Sequence, residues 1–181
     1  MRVEAVRGLD KPRIGAYIPR KEKAKWRAKW RILKFAEDWR KHAATLQEAL
    51  AKGIKPIEVL EFEGNVLLNE GINEIWQLVI GGSANHFDNA NSQIGVGDGT
   101  TAEDASQTDL VGTNTAYKGM DSGYPSVSGQ TVTFQATFGD AEANFAWEEI
   151  TVRHASTLIN LNRKQQSMGT KASGTTSIQS D

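Results

Sequence analysis

Apolar positions follow a helical period in most of the chain before Gly81 and alternate after it. Trp26, Trp30 and Leu33 stand at i, i+4 and i+7, and Trp39, Ala43, Leu46 and Leu50 at i, i+4, i+7 and i+11. This stripe predicts an amphipathic helix over residues 21–53, closed by Gly53 and the later Pro56, with a bend near Phe35 where the phase shifts. Between Ile57 and Phe62 apolar side chains alternate with glutamates, which predicts a short strand with one wet face. Asn65 is a candidate cap for a second helix, whose stripe of Val66, Leu67, Ile72, Ile75, Trp76 and Val79 ends at Gly81 and Gly82.

After that the helical period disappears. Ile94 and Val96 mark a short strand with Asp98-Gly99 as its turn. Val132, Phe134, Ala136 and Phe138 alternate with Thr131, Thr133, Gln135 and Thr137, the clearest half-buried strand in the chain. Ser128-Gly129 is read as the hairpin turn joining it to a strand at 117–120. Phe145, Trp147 and Val152 mark another strand, and residues 158–163 a last one. The predicted fold is α+β, an antiparallel β-sandwich body with one packed helix over 54–166. It is preceded by an extended basic arm over 1–20 and the long Trp-rich helix of 21–53, and followed at 167–181 by a polar tail or edge strand anchored by Met168 and Ile178. Trp76 and Trp147 are expected in the core, and Trp26 and Trp30 against another subunit.

Composition limits the function classes. With 181 residues and 39% apolar content the chain can bury one ordinary core. The absence of cysteine excludes disulfides and cysteine-based zinc sites. No apolar run approaches the roughly 18 residues that span a bilayer. The start MRVEAVRGLD has no signal-peptide core, so a protein made and kept soluble in the cytoplasm before assembly is expected. The net charge of −1 hides a polarity: residues 1–41 hold fourteen Lys or Arg against five acids, a net +9, and the remainder seven against 17, a net −10. Such a chain suits head-to-tail contact between arm and acidic body, or an arm offered to nucleic acid or anionic lipid.

Candidate chemistry is sparse. IGVGDG at 94–99 lacks the G-K-[ST] and βαβ setting of a phosphate loop and reads as a strand-to-turn junction. Asp98, Glu103, Asp104 and Asp109 crowd one loop without the spacing of a calcium loop, so a solvated acidic loop is the expectation. His42, His86 and His154 are isolated in sequence. Glu148 and Glu149 are neighbours on a strand and point to opposite faces, which cannot flank one sugar bond. The segment KAKWRAKWR at 23–31 suits a protein groove in which the tryptophans pack while the basic groups snorkel to acidic partners; phosphate contact with aromatic stacking, or insertion in a lipid interface, are the alternatives.

The landmarks GNVLLNEGINEIW (64–76), FDNANSQIGVGDGTTA (87–102), QTDL (107–110), YKGMDSGYP (117–125), TVTFQATFG (131–139), ANFAWEE (143–149) and LNRK (161–164) come in an order that resembles a family of tailed-phage virion structural proteins. The resemblance implies a non-enzymatic subunit that binds neighbouring virion proteins, as a head accessory or decoration protein or a tail or baseplate connector. A virion location and homo-oligomeric assembly follow from it, with no cofactor and no membrane partner; the alternative is a nucleic-acid-binding virion protein acting through the basic N-terminal region. Members of that family usually carry one more apolar strand at the C-terminal end, which here is expected to be absent or supplied by a neighbour. The candidate partner-binding residues are Arg20, Lys23, Trp26, Arg27, Trp30, Arg31, Leu33 and Lys34; no catalytic or metal set is expected.

Overall fold

Alternation of the kind in Thr131–Phe138 puts every second side chain on one face, so strands that carry it need a second sheet to cover that face. The computed structural model describes residues 26–181 and supplies it. The strands are β1 (Lys29–Lys34), β2 (Glu58–Glu63), β3 (Val66–Leu67), β4 (Ser92–Gly97), β5 (Thr115–Gly119), β6 (Ser126–Ser128), β7 (Thr131–Phe138), β8 (Glu149–His154), β9 (Asn160–Gln165) and β10 (Thr176–Ser180). They form two five-stranded sheets, in the orders β2-β1-β10-β7-β6 and β3-β9-β8-β4-β5. Every pairing is antiparallel. Trp30, Ile32, Phe134, Ala136, Phe138 and Ile178 face Ile94, Val96, Ile150, Val152 and Leu161 across the layer, so the fold is an α+β sandwich with its core between the sheets. Trp147 is buried there, edge-on to Phe138 with ring centroids 5.2 Å apart.

The long helix expected over 21–53 is corrected across the described residues. Lys29–Lys34 is a strand in the interior of the first sheet, where Ile32 pairs with Leu60 on one side and Ile178 on the other. The same residues that stand at helical spacing also alternate: Trp30 and Ile32 point into the core while Lys29 and Arg31 face out. Pairing on both edges decides between the two readings, since it satisfies the backbone and buries Trp30 at once. The stripe of Trp39, Ala43 and Leu46 survives in shorter pieces, a 3-10 turn (Trp39–Lys41) and α1 (Leu46–Ala51). Thr45 caps α1 by accepting from the Glu48 amide, and the Glu48 carboxylate accepts from the Ala44 amide at 2.8 Å. These pieces, with Leu33 and Phe35, form a second small core.

The C-terminal segment is also corrected. β10 is neither a disordered tail nor an edge: it lies between β1 and β7, so the final strand is the chain's own. Its polar residues are buried because they are paired. The Ser177 hydroxyl bonds the Thr137 hydroxyl at 2.9 Å and accepts from the Trp39 indole at 3.2 Å. The body therefore includes β1 and β10 and does not end at 54 and 166. Ser128-Gly129 turns β6 into β7, whereas β5 pairs with β4 in the opposite sheet. The second helix, α2, spans Asn69–Val79 and starts later than Asn65 because Val66 and Leu67 pair with β9.

Candidate partner-binding surface

Four of the sequence landmarks meet at one buried ion pair. Glu149 of β8 and Arg163 of β9 are both fully buried, and the guanidinium donates to the carboxylate through Nε at 2.7 Å, with Nη2 2.6 Å from the same oxygen. The remaining donors of Arg163 reach the Gln107 side chain and the Thr101 carbonyl, each at 2.9 Å. The free lone pairs of Glu149 accept from the amides of Gly99, Val111 and Gly112 at 3.2, 3.0 and 2.7 Å. A buried charge pair is tolerated when its other donors and acceptors are filled in this way. The glycines of IGVGDG make the room: a Cβ on Gly97 or Gly99 would meet the Glu149 carboxylate at 2.5 Å, and one on Gly95 the Tyr117 ring at 2.5 Å. The pair thus clamps the 98–114 loops to the sheet. Glu148, its sequence neighbour, points the other way and accepts from the Ser167 hydroxyl.

The acids of the same loops have separate partners. Asp98 accepts from the Asn114 amide and side chain, and these bonds hold its carboxyl below the ordinary range. Asp104 is lowered likewise by Ser106. Burial raises Glu103, but the Lys164 ammonium at 3.0 Å and backbone amides, that of Gln165 among them, together outweigh it and the net direction is down. Asp109 accepts from the Tyr117 hydroxyl, and burial followed by that bond pushes the phenol up. Among the described residues no group of three His, Asp or Glu side chains could hold a metal ion. The three histidines remain apart; His154 is buried with its ring edge-on to Phe87.

The expected partner-binding residues are dispersed by the fold. Arg20 and Lys23 lie outside the described residues. Trp26 is half-exposed and, with Arg27, lines a cleft of about 450 Å³ at the end of the sandwich, beside Phe134 and Leu161. Trp30 and Leu33 are corrected: each is 1% exposed within the chain's own two cores and cannot seat on a neighbour. Arg31 pairs with Glu61 at 3.1 Å on the outer face of the first sheet. Lys34 is buried, pairing with Glu58 at 2.9 Å and donating to the Met168 carbonyl at 2.7 Å. The basic groups of β1 are thus matched by β2 glutamates.

A surface that sequence reasoning missed lies on α2. Gly71 and Glu74 face the sheet, and a Cβ on Gly71 would meet the Leu161 backbone at 2.6 Å, so only glycine lets the helix sit this close to β9. The opposite stripe of Ile72, Trp76, Val79 and Ile80, at i, i+4, i+7 and i+8, faces water. Trp76, expected in the core, is 62% exposed. The signal was present in the sequence: α2 is apolar on two faces, with Ile75 on the inner one, and a helix covering one sheet needs only one.

Compared with protein-family models, with curated proteins and with solved structures, the chain matches none.

Proposed function

We propose that this protein is a non-enzymatic structural subunit of a tailed-phage particle, a head accessory or decoration protein or a tail or baseplate connector, whose work is to bind neighbouring virion proteins. The observation that carries this reading is the outer face of α2. Ile72, Trp76, Val79 and Ile80 leave a tryptophan and three aliphatic groups in water on a helix whose other side is locked to β9. Contiguous exposed apolar groups mark contact surfaces, and tryptophan is among their strongest anchors. Residues 75–87 carry no formal charge, which suits burial against protein and offers nothing to phosphate. The clamped loops around Glu149 and Arg163 supply a rigid body behind that face.

Trp76→Lys tests the reading. An anchoring tryptophan contributes on the order of 2 kcal/mol or more to a contact, so incorporation into particles should fall at least about tenfold. The urea midpoint of the free subunit should stay where it is, because the side chain is exposed. Incorporation at the normal level would overturn the reading. Copy number in purified particles separates the two placements, since head decoration follows the capsid lattice and tail parts form small rings.

A further inference from the structure

We propose that the free edge of β2 receives residues 13–18 of a second copy as an added antiparallel strand, joining copies head to tail. This goes beyond the role above and uses a surface other than α2. Among the described residues β2 is the last strand of its sheet, paired along its full length with β1 and with nothing on its other side. The core is open at this edge. Leu60 and Phe62 pack against it yet are only half-buried, and Phe62 lies 6.3 Å from Trp30 in a ring stack. On the outer row Val59 is 44% exposed and Glu63 holds Lys29 only loosely, at 3.9 Å.

An edge of sequence EVLEFE selects its occupant by charge. Two β2 strands brought together would oppose glutamates, which is how sheets prevent pairing with themselves; a basic strand is accepted instead. The chain carries one. Residues 1–25 hold eight basic groups against three acidic, a net +5, and contain RIGAYI at 13–18. Placed antiparallel with Arg13 opposite Glu63, the segment sets Ile14 against Phe62, Ala16 against Leu60 and Tyr17 against Val59. Its alternation then covers the open core with Ile14, Ala16 and Ile18 while Arg13 and Tyr17 lie on the outer row. Pro19 falls opposite Ile57, outside the ladder, where no amide donor is required. Within one chain the same alignment would require residues 19–25 to run back along the strand and across β2. That distance is roughly 22 Å, and seven residues reach about 25 Å only when fully extended. A second copy has no such constraint.

Sedimentation velocity of the full chain over a concentration series tests this. The wild type should self-associate. Gly15→Pro, which removes a ladder amide because Glu61 opposite it turns its backbone to the free edge, should weaken association at least tenfold, and Arg13→Glu or Glu63→Arg alone roughly fivefold. An equimolar mixture of the R13E and E63R proteins should regain wild-type association, because both junctions in the mixture are complementary. A wild type that stays monomeric throughout, a G15P protein that associates normally, or a mixture no better than its components would each overturn the proposal; the last result would mean that the segment pairs with its own edge. Loss of particle incorporation by Trp76→Lys is a separate outcome and leaves this one standing.

Discussion

Removing the carboxylate of Glu149 would leave Arg163 without a counter-charge at a site with no access to solvent. It would also free the amides of Gly99, Val111 and Gly112. Breaking a buried pair from one side costs about 3–5 kcal/mol, so Glu149→Ala should lower the unfolding free energy by that amount. It should also speed amide exchange through the 98–114 loops before the sheet opens. Denaturant titration and hydrogen exchange read the two effects; a loss below about 1 kcal/mol would mean that the clamp does not hold the loops. Single residues also explain where sequence reading worked and failed. Phe134, Ala136 and Phe138 lie on one side of a strand in either description, because a period of two with apolar members on one parity has one solution. Trp30 has two, since helical and alternate spacing share it, and only its neighbours in space choose.

Elements make the same distinction. β7 was legible from alternation alone, and β2 from its glutamates. β10 was not: Thr176, Ser177, Ile178, Gln179 and Ser180 have one large apolar side chain among them, and the hydroxyls that make the segment look wet are satisfied by Thr137 and Trp39, which are far away in sequence. A strand between β1 and β7 cannot be dispensable, since its loss leaves both with unpaired backbone and opens the core at Ile178. Deleting residues 175–181 should therefore abolish cooperative unfolding, as followed by circular dichroism on heating. A truncated protein with a sharp transition near the wild-type temperature would show that β10 is an accessory. The sites on β2 and α2 follow the opposite rule: among the described residues each is an element left incomplete, one lacking a second strand partner and one an apolar cover.

Among the described residues, several carboxylates are held by hydrogen bonds and cations. Arg40 lowers Asp38 chiefly through side-chain hydrogen bonds, Asn114 lowers Asp98, and Ser106 lowers Asp104. A carboxylate with a depressed folded pKa takes up a proton more readily once unfolded. Its contribution is complete above the unfolded value of about 4 and is lost as pH falls through the folded one. The urea midpoint should accordingly be flat from pH 7 to about 5 and fall below about 4; an unchanged midpoint at pH 3 would contradict this. The alternating and glycine-punctuated sequence alone determined that the chain is an α+β sandwich, because period and turn chemistry are local. It also determined the split of charge between a basic beginning and an acidic remainder. Which strands sit in which sheet, that Trp30 is core and Trp76 surface, and that Glu149 finds Arg163 were decided by tertiary structure. These depend on pairings between distant segments, whose free energies no local pattern contains.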